Sequence, residues 1–321
     1  MAHDNHVIDH INKDVDGLML SGVFNRHDAK EYYLSLCGNW TDPNPEPVVE
    51  TYDGVRVVRD DLITGSKVRG GDCLLSKLPS HIDTLVYVQP RFGLAGVSIL
   101  DVAKRHNMKV RLFMPSSKQI SPHQAACIER GAEVSFHRIA AMPNLNLIAK
   151  KYADERDNCF FIPLGLKHEL VTAGFVKVAS QIPEPEEVWT VLSTGVLHRA
   201  LQIAWPNATF HGVAVARNMK AGEVGHDRII SHPLAFTAPL SKDQMPPFPC
   251  IPQYDAKAWP YIPKNSGRDI LFWNVGNEPE VYDQSIYNEV DSYREWKEEK
   301  TSFILRPGTC SQNSENQKES C

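Results

Sequence analysis

From Val55 to Val215 the chain alternates short apolar runs with longer stretches in which apolar residues recur every three or four positions. Val55-Arg56-Val57-Val58-Arg59-Asp60-Asp61 opens as an alternating strand. Thr84-Leu85-Val86-Tyr87-Val88 has the continuous apolar pattern of a buried strand. Leu94, Val97, Leu100 and Ala103, spaced by three, predict a helix over 93–106. Next come a strand at 109–114 stopped by Pro115, a helix over 121–130 capped by Ser121 and closed by Gly131, and a strand at 133–137. A helix over 144–155, a strand at 159–162, a helix over 169–181, a strand at 188–192, a helix over 193–205 and a strand at 210–215 follow. A last apolar run, Asp269-Ile270-Leu271-Phe272-Trp273, predicts one more strand before the turn Asn274-Val275-Gly276-Asn277. This alternation predicts an α/β protein with parallel sheets flanked by helices. Such sheets bind ligands beyond the carboxyl ends of their strands.

The flanks lack this rhythm. Residues 1–50 show weak helical patterning and end in Asp42-Pro43-Asn44-Pro45-Glu46-Pro47, which predicts an extended arm. His3, His6 and His10 fall on one helical face, and a frayed terminus explains them better than a metal. Residues 218–252 read as loop, with Met245-Pro246-Pro247-Phe248-Pro249 ruling out regular structure. From Glu280 the chain is polar and charged, and Ser311 to Cys321 reads as disordered.

Composition narrows the function classes. A length of 321 residues with 42% hydrophobic and 23% charged residues is that of a soluble globular protein with ample core. A net charge of −5 argues against a nucleic-acid backbone as partner, and the run Lys104-Arg105-His106-Asn107-Met108-Lys109-Val110-Arg111 reads as a solvated helix end and strand start. No apolar run is long enough to span a membrane, and the polar start of the chain has no signal-peptide core, so a cytoplasmic protein is expected. The seven cysteines form no CxxC pair, which predicts free thiols and no metal site.

Four segments carry candidate chemistry. In Gly65-Ser66-Lys67-Val68-Arg69 a lysine follows a glycine turn and precedes a helix. If partly desolvated, such an amine sheds its charge and can form a Schiff base with an aldehyde. Ser193-Thr194-Gly195-Val196-Leu197 follows a strand and opens a helix, a natural seat for an anion. Gln253-Tyr254-Asp255-Ala256-Lys257 offers a carboxylate able to face a ring nitrogen. Leu271-Phe272-Trp273-Asn274-Val275-Gly276 runs a buried strand into a glycine turn. Taken singly, these are an exposed lysine, an N-cap, a surface carboxylate and a core strand. His198 and His211 read as satisfied histidines beside core elements.

In order and spacing the four segments resemble fold-type II pyridoxal phosphate enzymes of the tryptophan synthase beta-like superfamily. Within these the similarity is to the 1-aminocyclopropane-1-carboxylate deaminase and D-cysteine desulfhydrase group. That group carries Arg-Glu-Asp and then Gly-Gly-Asn-Lys-x-Arg, and Arg59-Asp60-Asp61 with Gly65-Ser66-Lys67-Val68-Arg69 is similar. Its Gln-Ser-Asn corresponds to Gln89-Pro90-Arg91, its Val-Tyr-Glu-Gly-Lys to residues 253–257, and its Leu-Phe-x-His-Thr-Gly-Gly to residues 271–276. The resemblance covers residues 50–278.

The resemblance implies a large domain over 51–83 and 166–279 that binds pyridoxal phosphate, a small α/β domain over 84–165, an arm over 1–50 and a tail over 280–321. It implies that Lys67 holds the cofactor, that a substrate amine displaces it to form an external aldimine, and that the freed Lys67 serves as base. Asp255 then keeps the ring nitrogen protonated, Tyr254 stacks near the ring or relays a proton, and Ser193, Thr194, Gly195 and Val196 hold the phosphate. Arg91 and Asn274 complete the cofactor-binding set. The expected protein is a homodimer that acts on an amino acid or amine by elimination, deamination or decarboxylation, with no metal.

Three departures bear on this. Pro90 and Arg91 replace a pair that in the family touches substrate carboxylate and cofactor, and arginine adds a fixed charge. Val196, Leu197 and His198 stand where glycines and a small residue are usual, and Asp255 is one methylene shorter than the family's glutamate. Two other readings follow: a non-catalytic scaffold that binds or assembles, and an enzyme acting on an amino-acid-modified nucleotide or DNA base.

Overall fold

The computed structural model describes residues 26–117, 119–138, 141–219, 224–225, 228–287 and 302–305. The three N-terminal histidines and the 311–321 stretch lie outside the described residues. In chain order the elements are α1 (Arg26–Cys37), β1 (Val49–Tyr52), β2 (Val55–Arg59), α2 (Lys67–Leu75), β3 (Thr84–Val88), α3 (Ala95–Arg105), β4 (Lys109–Pro115), α4 (Pro122–Glu129), β5 (Glu133–His137), α5 (Met142–Asp154) and β6 (Cys159–Phe161). They continue with α6 (Glu169–Ala179), β7 (Glu187–Leu192), α7 (Val196–Ala204), β8 (Thr209–Ala214), β9 (Arg228–Ser231), β10 (Ile270–Asn274) and β11 (Ser302–Leu305). The chain divides into two units, one of Met1–Leu78 with Gly165–Asn277 and the other of Pro79–Leu164 with Glu278–Cys321. Among the described residues no helix is long and apolar enough to cross a membrane.

The first unit is built on a six-stranded sheet in the order β1-β2-β10-β7-β8-β9. Only the β1–β2 hairpin is antiparallel. Its turn is Asp53-Gly54, with φ of 49° and 76°. Two positive φ values in succession suit a type I′ turn, which matches the twist of the flanking strands. All six residues of β7 are buried, as expected for an inner parallel strand. On one face Val55, Val57, Trp189, Val191, Val213 and Phe272 pack against Leu240, Phe248, Trp259 and Ile262. That cover is irregular chain and 3-10 turns. The stretch read as loop also contains β9, a short strand that joins the sheet edge beside β8.

Helices α1, α2, α6 and α7 form the unit's other layer, packed on one another. The arm residues therefore supply a helix whose Ala29, Tyr33 and Cys37 are buried. At the α2–α6 crossing the backbones nearly touch. A Cβ on Gly70 would lie 2.6 Å from the Val171 carbonyl oxygen, and one on Gly174 would lie 2.9 Å from Gly70 Cα. Only glycines allow this approach, and it sets the seat of the helix that begins at Lys67.

A buried ion network fixes the same helix from its other side. Arg69 on α2 donates from Nε and Nη2 to Asp60 Oδ1 at 3.0 and 2.9 Å, and from Nη1 to Asp42 and the Pro45 carbonyl. Asp60 Oδ2 accepts from Trp273 Nε1 at 2.8 Å. Both charges are buried and their hydrogen-bonding groups are filled, which a desolvated pair needs. One pair thus ties α2 to β10 and to the proline-rich arm.

The second unit holds a five-stranded sheet in the order β11-β5-β4-β3-β6. Its strands are parallel except β11, which runs antiparallel to β5. Val86, Val88 and Phe113 pack against Leu145, Ala149 and Ala153 of α5. Helices α3 and α4 pack on each other, and α3 also packs on β3 and β4. Ser121 caps α4 in a full capping box with Gln124.

Candidate active site

In the first unit, Lys67, Asp255, Asn274 and the 193–196 loop all lie at or beyond the carboxyl ends of β2, β7 and β10. Gly65, at a φ of 99°, turns the chain from the 3-10 turn at Asp60–Leu62 into α2. The Ser66 amide donates to the Val275 carbonyl at 2.8 Å, which pins the start of α2 to the end of β10. Lys67 is partly buried. Loss of solvent brings its amine down to about 8, and the Asp255 carboxyl opposes that fall. Its amine makes no hydrogen bond among the described residues.

Asp255 is wholly buried at the start of the 3-10 turn Asp255–Tyr261. Its Oδ1 accepts from the Val275 amide at 3.2 Å, and Oδ2 has no partner among the described residues. Burial raises its pKa well above the ordinary carboxylate range; the Asp61 charge adds to this, while the Val275 amide and Lys67 oppose it. Lys67 and Asp255 are therefore both pushed toward their neutral forms.

Asn274 closes β10 and is also wholly buried. Its Nδ2 donates to Asp61 Oδ1 and to the Pro249 carbonyl, both at 2.8 Å, and its Oδ1 has no partner among the described residues. Tyr254 turns its hydroxyl to the Val191 carbonyl at 3.2 Å, and Phe236 stands edge-on to its ring. Burial pushes its phenol up, so the hydroxyl serves as a fixed donor to β7.

The loop Ser193-Thr194-Gly195-Val196 leads from β7 into α7. Gly195 is the N-cap at a φ of 73°. A Cβ there would lie 2.5 Å from Val224 Cγ1 and 3.1 Å from Arg199 Nη1, so the loop closes only around glycine. Arg199, buried on α7, folds back and donates to the Thr194 carbonyl at 3.2 Å. The Thr194, Gly195 and Val196 amides have no acceptor among the described residues. His198 is held by Thr190, with Nδ1 and Oγ1 2.7 Å apart. His211 stacks on Trp189 and lies 3.6 Å from Glu187.

Arg91 belongs to the second unit, beyond the end of β3. Its guanidinium lies over the Phe92 ring, and Nη2 donates to the Gln119 carbonyl at 3.4 Å. Buried Gln89 shapes this loop by donating to the Pro90 and Gly93 carbonyls at 2.9 Å and accepting from the Gly96 amide at 2.8 Å.

Sequence reasoning did not single out Asp61 beyond its motif, nor Gly165 and Val224. A Cβ on Gly165 would lie 2.3 Å from Thr194 Oγ1, so Gly165 and Val224 both wall the loop. Their signals were a glycine after a strand and an isolated valine in a loop, neither of which names a partner.

The first-unit residues fit pyridoxal phosphate. A lysine amine that sheds its proton near 8 suits an aldehyde. The bare Asp255 Oδ2 suits a protonated ring nitrogen. Unclaimed amides at the start of α7, beside the Arg199 guanidinium, suit a phosphate.

No protein-family model and no curated protein matches the chain. Its fold does match solved structures. An ACC deaminase homologue aligns over 80% of this chain and 98% of its own, at a TM-score of 0.62 and 15% identity. Threonine deaminase isoform 2 of Solanum lycopersicum aligns over 83% and 93%, at 0.60 and 15%. Maize serine racemase aligns over 84% and 98%, at 0.59 and 12%. The chain therefore has the tryptophan synthase beta-like fold of the fold-type II pyridoxal phosphate enzymes, as its sequence predicts.

Proposed function

We propose that the protein is a pyridoxal phosphate enzyme acting on an amino acid or amine. The observation that carries this reading is the half-buried Lys67, its amine held near 8, set against the buried Asp255 with one oxygen bare. When bound, pyridoxal phosphate supplies an aldehyde that condenses with amines and a ring that accepts the electron pair released at a substrate carbon.

The chain's own residues do the rest. Lys67 would hold the cofactor, and its Nζ would take up the proton removed from the substrate. Asp255 holds a proton between its Oδ2 and the ring nitrogen. The 193–196 amides and Arg199 bind the phosphate. Tyr254 keeps its hydroxyl on β7 and so positions the Asp255 segment by its ring. Elimination and deamination would call on the proton uptake at Lys67 Nζ, whereas decarboxylation would share the binding residues alone.

The test is the visible absorbance of the purified protein with added pyridoxal phosphate, with and without borohydride, on wild type and Lys67→Ala. The expected result is a new band that borohydride traps on the Lys67 peptide and that the variant lacks. Lys264, whose amine burial also brings to about 8, remains in both proteins and reports non-specific labelling. Absence of the band from wild type overturns the reading.

A further inference from the structure

We infer that Asp61 is a positioning residue that locks the Asn274 carboxamide with its oxygen bare, so that the site offers a fixed buried acceptor, Asn274 Oδ1, and selects a bound group that brings an N–H donor to it. This rests on the proposed cofactor site only for the identity of the group, and not for the lock.

The lock follows from donor chemistry. Both partners of Asn274 Nδ2, the Asp61 carboxylate and the Pro249 carbonyl, lie at 2.8 Å and can only accept. A flipped carboxamide would set oxygen against two oxygens, so a single orientation survives. Arg59 fixes the Asp61 carboxylate in place with a two-pronged contact, Nε to Oδ1 at 2.8 Å and Nη2 to Oδ2 at 2.7 Å. Arg59 is itself steadied by the Tyr52 hydroxyl at 2.6 Å and by Glu50. A polar chain thus runs from Glu50 at the surface through Arg59 and Asp61 to Asn274.

The outcome is a fixed, buried acceptor at the end of β10. Asn274 Oδ1 and Asp255 Oδ2 are buried without partners, and the residue after Asn274, Val275, supplies the amide that holds Asp255. Bare buried acceptors are costly unless a ligand fills them. A molecule presenting a ring C–H, or an unprotonated nitrogen, leaves them unfilled.

Two measurements test this. In the cofactor-free protein, the Asn274 side-chain amide protons should exchange slowly with solvent, because both are bonded. Asp61→Asn, which replaces the charged acceptor by an amide and leaves the Pro249 carbonyl alone to oppose the flip, should speed that exchange by at least about tenfold; unchanged exchange overturns the lock. The second measurement is the ratio of dissociation constants for pyridoxal phosphate and its analogue with a ring C–H in place of the ring nitrogen. Wild type should favour the nitrogen compound by roughly tenfold or more, and Asp61→Asn should lose at least about threefold of that preference, Asp255 keeping the rest. Asn274→Leu leaves the Arg59–Asp61 pair intact, should show the same loss, and covers the case in which Asp61→Asn fails to fold. A preference unchanged in a folded variant overturns the selection. If neither compound labels Lys67, the cofactor reading and the selection both fail, and the exchange measurement still decides the lock.

Discussion

Replacing Lys67 by methionine should stabilise the cofactor-free protein at neutral pH, and the gain should fade in alkali. Burial holds the Lys67 amine down from an ordinary 10.5 to about 8. Between those values the unfolded chain carries a proton that the folded chain does not, so stability rises with pH across that window. Below it the folded protein bears the whole cost of a desolvated ammonium. A displacement of this size is worth at most about 3 kcal/mol. Lys67 keeps some contact with solvent, which brings the expected figure to about 1–2 kcal/mol. Methionine matches the side chain in length and carries no charge, so the variant should exceed wild type by that amount at neutral pH. The assay is urea unfolding of both proteins at several pH values from neutral to about 10.5. A difference that stays constant over that range, or a variant less stable at neutral pH, refutes the claim that Lys67 is desolvated.

Other parts of the fold make equally direct claims. Gly70→Ala forces a Cβ to within 2.6 Å of the Val171 carbonyl oxygen and should cost about 2–3 kcal/mol in the urea midpoint with the slope unchanged. Gly195→Ala places a side chain at a φ of 73° against Val224 and Arg199, and should weaken pyridoxal phosphate binding by at least about tenfold while leaving the circular dichroism spectrum intact. His123 is buried with neither ring nitrogen partnered among the described residues, so His123→Phe should stabilise by about 1 kcal/mol at neutral pH. Burial brings the His123 imidazole from 6.5 down to about 4, so wild type loses stability as pH falls through that window and the advantage of His123→Phe should widen there.

Much of the fold was legible because periodicity and burial agree. The runs at 84–88 and 133–137 are strands over those same residues, and the last strand is displaced by one position, to Ile270–Asn274. The β1–β2 hairpin was missed although Asp53-Gly54 is a strong turn signal, because the proline cluster before it read as an arm. Strand β9 was hidden because four residues at a sheet edge bury too little to leave a pattern. Sequence order places Lys67 and Asn274 just past predicted strands and so toward one end of the sheet, whereas Asp255 follows a long loop and is placed there by the resemblance alone. It is silent on the contacts that give them meaning. Asp61 reaches Asn274 across 213 positions, and the Tyr254 hydroxyl reaches Val191 across 63. No local pattern encodes such pairings, and the same holds for the Gly70–Gly174 approach, where two glycines mid-helix read only as weak helix formers.

A scaffold that merely binds or assembles through this fold would be expected to fill its core quietly, and the end of this sheet does the opposite. A half-buried amine stands without a hydrogen bond, and two fully buried oxygens, Asp255 Oδ2 and Asn274 Oδ1, stand without donors among the described residues. Each such oxygen costs about 1–3 kcal/mol, against a total stability on the order of 5–15 kcal/mol for a folded protein. Apolar side chains of similar volume would remove that cost. On the proposed reading a ligand completes this arrangement, and the difference from a scaffold is measurable. Pyridoxal phosphate at a hundred times its dissociation constant should stabilise wild type by about 2.7 kcal/mol. Asp255→Leu should be more stable than wild type without the cofactor and gain little from its addition. A scaffold would gain stability from Asp255→Leu as well, but its unfolding midpoint would ignore the cofactor in wild type and variant alike.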